Sequence, residues 1–282
     1  MTTSQTLGSA IIACAASLAN AQQAPDTRKL SFPRVTIAGS LVRAMKSNST
    51  GRDMDLYIHL PSNYDRDKTK NYPALYILDG QWDFKLMDSV LGGLVYDKFV
   101  PEMILVGITY SGENADYDGL RAMDYTPTAT KDVKGSGNGP NFLKFLKTEL
   151  IPFMEMNYRA DPSRRVLQGS SYAGLFTLYA MFTDPGLFAG YISASPAVPF
   201  GDGFAFKQEA GFARAHTALP VKLFLSVGEA EGLAFPVLNF MKAIQSRGYG
   251  GLKLETRVIE GERHAGNKPE AFNRGLRFVF AE

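Results

Sequence analysis

From Tyr72 onward, short apolar runs alternate with stretches in which apolar residues recur every three or four positions. The short runs are Tyr72–Leu78, Met103–Tyr110, Arg165–Gln168, Phe188–Ser193, Val221–Val227 and Leu252–Ile259. Continuous hydrophobicity, as in Met103–Tyr110, predicts strands covered on both faces, the condition of a parallel sheet. Between the runs, the helical period predicts helices over Phe84–Phe99, Pro140–Tyr158, Leu175–Phe182, Phe204–Ala218, Phe235–Ser246 and Pro269–Phe280. In the first of these, Phe84, Met87, Val90, Leu91 and Leu94 share one stripe. Upstream, Arg34–Ala44 and Asp53–Leu60 alternate as two further strands, with a turn at Lys46–Gly51. Ser62–Asn71 is a charged loop. Ser111–Gly139 is polar, rich in Gly and Asp, and is expected to be a long functional loop. The pattern predicts an α/β fold: a mostly parallel central sheet, helices on both faces, and antiparallel strands at the N-terminal side.

Composition narrows the function. The 282 residues, 45% hydrophobic and 21% charged, suit one domain spanning 22–282. Net charge is +2 with the signs interspersed, so no basic stripe points to nucleic acid. Three histidines and one cysteine, without an HExxH or a cysteine pair, give no metal site, and no cofactor is expected. Leu7–Leu18 is apolar or small, and Ala19-Asn20-Ala21 fits a cleavage site, so residues 1–21 are expected to be a signal peptide. Its n-region lacks Lys and Arg. Cleavage after Ala21 would remove Cys14 and place the mature chain in the periplasm or outside the cell. No other apolar run approaches the roughly 18 residues of a spanning helix, so no integral membrane segment is expected after cleavage. The pattern does not reveal an oligomeric state.

The stretch Arg165–Gly174, RVLQGSSYAG, carries the chemistry. A strand meets two small residues and a serine, and a helical run follows, the layout of a nucleophile elbow. The turn is strained, so the residues two before and two after the nucleophile must be small. Gly169 and Ala173 flank Ser171 in this way, whereas Ser170 is flanked by Gln168 and Tyr172. Ser171 is the candidate nucleophile.

A serine hydroxyl needs a base, and the base needs an orienting acid. In an elbow of this kind the chain order is serine, acid, histidine. His59 lies upstream and His216 lies in a helix. Only His264 follows the last strand, in Glu260–Asn267, and it is the candidate base. The acid should follow Val221–Val227, where Glu229 and Glu231 both stand. Two backbone N–H groups must also face the developing oxyanion. One belongs to Tyr172. The other is assigned to Gln81, after the strand that ends in Asp79-Gly80. Trp82 and Arg121 are placed to line the mouth and meet substrate. An internal ion pair between Arg121 and Asp124, three residues apart, is the competing expectation for that arginine.

Together these segments resemble the esterase-D-like family of the α/β-hydrolases, over roughly Asp53 to the C-terminus. The resemblance rests on Leu78-Asp79-Gly80, on Arg121 with Asp124–Pro127, on Gly169–Phe176 and on Ser193–Ala197. It rests also on Gly228–Glu231, Glu262–His264 and Arg274–Phe278. It implies an α/β-hydrolase fold and serine-dependent ester hydrolysis of a small molecule, closest to siderophore-trilactone esterases. It favours Glu231 as acid, at the third position after the glycine, and supports Gln81 as the second oxyanion donor. Two residues depart from the family pattern: Ala173 replaces a glycine and Glu231 replaces an aspartate. Feruloyl-type ester hydrolysis, acyl transfer, and a binding protein that has lost activity on the same fold are the alternatives left open.

Overall fold

Five of the six apolar runs form inner strands of one sheet; the last, Leu252–Ile259, forms an edge strand that is mostly exposed or half-buried. Among the described residues of this computed structural model, 35–281, eight strands are present. They are β1 (Ser40–Ser47), β2 (Arg52–His59), β3 (Tyr72–Ile77), β4 (Ile104–Tyr110), β5 (Ala160–Ser170), β6 (Gly190–Ala194), β7 (Lys222–Gly228) and β8 (Lys253–Ile259). Their spatial order is β1-β2-β4-β3-β5-β6-β7-β8. Pairing is antiparallel through β1, β2 and β4, and parallel from β4 to β8. Every residue of β3, β4 and β6 is buried, as their unbroken hydrophobicity requires. In β2, by contrast, Met54, Leu56 and Ile58 alternate inward. The expected leader, residues 1–21, lies outside the described residues.

The helices are α1 (Gly80–Tyr96), α2 (Tyr117–Asp124), α3 (Gly139–Phe145), α4 (Ile151–Tyr158), α5 (Tyr172–Thr183), α6 (Phe200–Ala215), α7 (Ala234–Arg247) and α8 (Lys268–Phe280). Helices α1 and α8 pack together, and α5, α6 and α7 pack in succession. Among the described residues, no helix is long and apolar enough to cross a membrane.

Four expectations are corrected. Strand β1 starts at Ser40 rather than Arg34 and runs on to Ser47. The turn after it is therefore shorter, closed by Gly51 N–H on the Ser47 carbonyl and anchored by Asn48 and Ser49 N–H on the Glu149 carboxylate. Strand β5 starts at Ala160, because Asp161–Arg164 continues the strand path while exposed and polar. Residues 111–139 are not one irregular loop. Helix α2 lies within them, capped by the Asp116 carboxylate on Gly119 N–H. Asp124 at its end is buried against Arg52 and the Asn138 amide, which fastens the segment to the body.

The helical period over Pro140–Tyr158 does not yield one α-helix. Pro152 has no N–H and its ring clashes with the carbonyl four residues back. The chain widens into a π turn over Leu146–Leu150, with Ile151 N–H reaching the Leu146 carbonyl. Helix α6 contains a left-handed run at Gly201, Asp202 and Gly203, with φ of 61°, 52° and 73°, and turns regular from Phe204, where the period places its start.

The core beneath α5 is aromatic. Phe176 meets Phe142 at 5.1 Å, Tyr179 at 5.9 Å and Tyr125 at 6.0 Å between ring centroids, and is fully buried. Phe176→Ala should destabilise the fold by about 3–5 kcal/mol, whereas Met156→Ala, at a residue 84% exposed, should stay within about 0.5 kcal/mol. Urea unfolding of the two variants beside wild type measures both.

Candidate active site

Strands β3 and β5 are hydrogen-bonded neighbours, with Ile77 opposite Gln168 and Leu78 N–H on the Gln168 carbonyl at 3.0 Å. Strand β3 ends at Ile77 and β5 two residues further on, at Ser170, so the helices that follow, α1 and α5, begin at adjacent strand ends. Each presents first-turn N–H groups without an intrahelical partner, and the positive end of its dipole. Gln81 lies in the first turn of α1, and Tyr172 opens α5. Both expected oxyanion donors thus stand at helix N-termini on adjacent strand ends.

The turn into α5 is the strained one. Ser171 has φ 62° and ψ −120°, and its side chain does not cap its own helix. Its N–H is held by the Ala194 carbonyl at 3.0 Å, and its own carbonyl accepts from Ala197 N–H at 3.1 Å. A Cβ on Gly169 would lie 2.5 Å from the backbone carbonyl of Ala173, so the small-residue rule has a direct cause. Ser170 is the last residue of β5 and is buried, whereas Ser171 is half-buried.

The structure brings Glu231, not Glu229, to the histidine. Glu231 Oε2 lies 2.5 Å from His264 Nδ1, and its side chain is 2% exposed. Its other oxygen accepts from Gly228 N–H at 2.6 Å and from the Ser195 hydroxyl. Glu229 accepts instead from Gly261 N–H at 2.9 Å and so shapes the loop that carries His264. Burial works to raise the Glu231 pKa, but hydrogen bonds from His264 and Ser195, the His264 charge and the Gly228 N–H outweigh it. The carboxyl is left below its ordinary value. The other two histidines are elsewhere: His59 pairs with Asp88, and His216 stacks on Phe212 at 4.2 Å.

Gln81 is pinned through its side chain, whose Oε1 accepts from the Thr109 hydroxyl at 2.8 Å. Asp79, before it, adopts a left-handed conformation with φ 55°. Arg121 does not pair with Asp124. Its Nε and Nη2 reach the two carboxylate oxygens of Asp79 at 2.9 and 2.8 Å, and Nη2 lies 3.5 Å from the Ser170 carbonyl. The guanidinium is 13% exposed and sits 5.5–5.9 Å from the rings of Trp82, Tyr125 and Tyr172. The arginine expected to meet substrate is thus a brace behind the α1 turn. Trp82 remains half-buried in that turn, edge-on to Tyr117 at 6.2 Å. Sequence reasoning missed Asp79, Ser195, Asn267 and the pair Asp83–Lys268, at 2.8 Å, which ties the first turn of α1 to the start of α8, just past His264. Among the described residues, no cluster of acidic, histidine or cysteine side chains could hold a metal.

Sheet order, strained serine turn and Glu–His pair define a serine hydrolase of the α/β-hydrolase class. The family model described as "Putative esterase" matches residues 47–230, and the chain belongs to that family of esterases. The match stops short of Glu231 and His264. The chain is 28% identical over 265 residues to the ferri-bacillibactin esterase BesA of Bacillus subtilis strain 168, covering 86% of this chain and 90% of that one. It is 34% identical over 140 residues to the apo-salmochelin esterase of Escherichia coli O6:H1, covering 46% and 43%. The crystal structure of the BES protein from Bacillus cereus shares the fold at a TM-score of 0.80, with 24% identity over 90% of this chain and 99% of that chain.

The lowered Glu231 pKa has a consequence for stability. A group whose native pKa lies below its unfolded value stabilises fully above the unfolded pKa, and the effect is lost as pH falls through the native one. The stability gap between wild type and Glu231→Gln should therefore be widest near neutrality and narrow between about pH 5 and about pH 3. Urea melts across that range test it, and a gap that widens toward acid would contradict it.

Proposed function

We propose that this esterase hydrolyses the ester bonds of a siderophore lactone through an acyl-enzyme on Ser171. The observation that carries the site assignment is the Glu231–His264 pair, joined to the Ser171 turn through the ends of β5, β6 and β7. The substrate class is supported by a relative named for a ferri-siderophore ester that aligns over most of both chains.

In this mechanism Glu231 accepts the Nδ1–H of His264 and fixes the tautomer, leaving Nε2 to act as base. His264 takes the Ser171 proton as the hydroxyl attacks the ester carbonyl. The Gln81 and Tyr172 N–H groups receive the oxyanion in a field already set by two helix N-termini, without reorganisation during the reaction. His264 then protonates the leaving alcohol. Water, activated by the same imidazole, releases the acyl group and restores Ser171. Trp82 lines the mouth, where its ring offers a stacking face to an aromatic substrate. Arg121 acts indirectly, by holding Asp79 and so the turn that presents Gln81. The apolar leader and its Ala19-Asn20-Ala21 site support action outside the cytoplasm.

Ser171→Ala should lower kcat by about a millionfold with an unchanged melting temperature, and should abolish fluorophosphonate labelling. Steady-state hydrolysis of p-nitrophenyl butyrate and of a catecholate trilactone checks this. A variant with wild-type turnover would displace Ser171. A trilactone turned over no better than the aryl ester would reject the siderophore substrate and leave the esterase intact. Intact mass of the exported protein should place its first residue at Gln22, and an unprocessed chain would contradict export through this leader.

A further inference from the structure

The end of strand β6 and the residues just past it, Ser193-Ala194-Ser195-Pro196-Ala197, touch both halves of the candidate site. On one side, the Ala194 carbonyl and the Ala197 N–H hold the backbone of Ser171. On the other, the Ser195 hydroxyl donates to Glu231 Oε1. Ser195 is fully buried and sits in the left-handed region at φ 43°, uncommon for a residue with a side chain. Its N–H is held by the Ser226 carbonyl at 2.7 Å. A glycine would adopt this backbone at no steric cost. The serine contributes a hydroxyl that glycine lacks.

Asn267 determines what that hydroxyl does. Its Nδ2 faces four oxygens: Ser195 Oγ at 2.8 Å, the His264 carbonyl at 2.9 Å, the Arg263 carbonyl at 3.2 Å and Glu231 Oε1 at 3.4 Å. Four acceptors around one atom identify it as the NH2 end of the amide. An N–H donated to Ser195 Oγ occupies a lone pair there and directs the Ser195 proton toward the carboxylate. The Asn267 amide also grips the loop carrying His264 through two of its carbonyls. Serine, glutamate, asparagine and the histidine loop therefore form one closed set of contacts.

We propose that Ser195, oriented by Asn267, is a positioning residue that clasps the inner oxygen of Glu231 and so aims its outer oxygen at His264. The proposal rests on Glu231 as the acid of the site. A glutamate has one more rotatable bond than an aspartate, and a second anchor on Oε1 removes the freedom that bond adds. The backbone N–H of Gly228 supplies part of that anchor, and the Ser195 hydroxyl completes it.

Ser195→Gly is the discriminating variant, because it keeps the left-handed backbone, relieves its strain and deletes the hydroxyl together with the one carbon that carries it. Hydrolysis of p-nitrophenyl butyrate should show kcat lower by about tenfold to a hundredfold, the loss expected for one hydrogen bond to a charged group. KM should change by less than about twofold, because the clasp does not touch substrate. The melting temperature should hold or rise. In a Glu231→Ala background the same change should have little further effect, the double-mutant signature of two residues acting through one contact. The downfield proton of the His264 Nδ1–H, seen by NMR in wild type, should shift or broaden in Ser195→Gly. A Ser195→Gly enzyme with wild-type kcat would overturn the clasp while leaving Glu231 as acid. Equal losses in both backgrounds would also overturn it, since Ser195 would then act elsewhere. A Glu231→Ala enzyme at wild-type rate would overturn the underlying assignment of the acid itself.

Discussion

A single inter-strand hydrogen bond, Leu78 N–H to the Gln168 carbonyl, stands at the last level where β3 and β5 still pair. Beyond it β3 leaves the sheet through Asp79, and β5, after pairing with β6 as far as Ser170, leaves through Ser171; both residues have positive φ, and both chains turn straight into helices. Because the two strands are neighbours in register and end within two residues of each other, their helices open at adjacent strand ends, each with unpaired first-turn N–H groups. A register slip of one residue would carry Gln81 away from Tyr172 and turn the strand's side chains to the wrong face. The first turn of α1 also lies close on β4: a Cβ on Gly80 would meet the Gly107 backbone at 2.8 Å. The placement of the two proposed oxyanion donors thus follows from the sheet.

Two buried ion pairs hold this arrangement against the neighbouring loops. Asp79 with Arg121 ties the α1 turn to α2 and to the Ser170 carbonyl, and Asp83 with Lys268 ties the first turn of α1 to the histidine loop. Such pairs do little for net stability, because desolvating two charges offsets their attraction. Burial pushes the Asp83 pKa up, with Lys268 acting against it. Their directional value is larger. Removing one partner would leave an uncompensated charge beside the reacting centre, so the pairs permit one placement of the turn and few others.

Much of this was legible in the chain, for physical reasons. The inner strands announce themselves because both their faces are covered. Ser171 is separable from Ser170 because the elbow tolerates bulk at neither flanking position. His264 follows from chain order, and the third residue after Gly228 reaches it as the resemblance implies. The missed side-chain partners share one cause. Asp79 and Arg121 are 42 residues apart, and Ser195 and Asn267 are 72 apart. Pairs of that kind leave no periodicity, whereas Asp124, three residues from Arg121, is a local decoy that Arg52 claims. Helix α2 was missed because it is only eight residues long, two turns inside a polar, glycine-containing stretch.

The departure at Ala173 has an explanation in the same geometry. A Cβ built on Gly169 would stand 2.8 Å from the Ala173 Cβ and 2.5 Å from its carbonyl. The crossing of strand and helix therefore has no room for a side chain at residue 169, whatever residue 173 is, and the Ala173 methyl group fits because residue 169 is glycine. Gly174 is under a separate constraint: its Cβ would lie 2.9 Å from the Ala194 carbonyl oxygen, the group that accepts Ser171 N–H. The glycine that cannot be replaced is thus the one facing β6, where added bulk would push away the carbonyl that holds the serine's backbone. An alanine at 173, fully buried in the core, sits against Gly169, which carries no side chain to oppose it, and the turn keeps its shape.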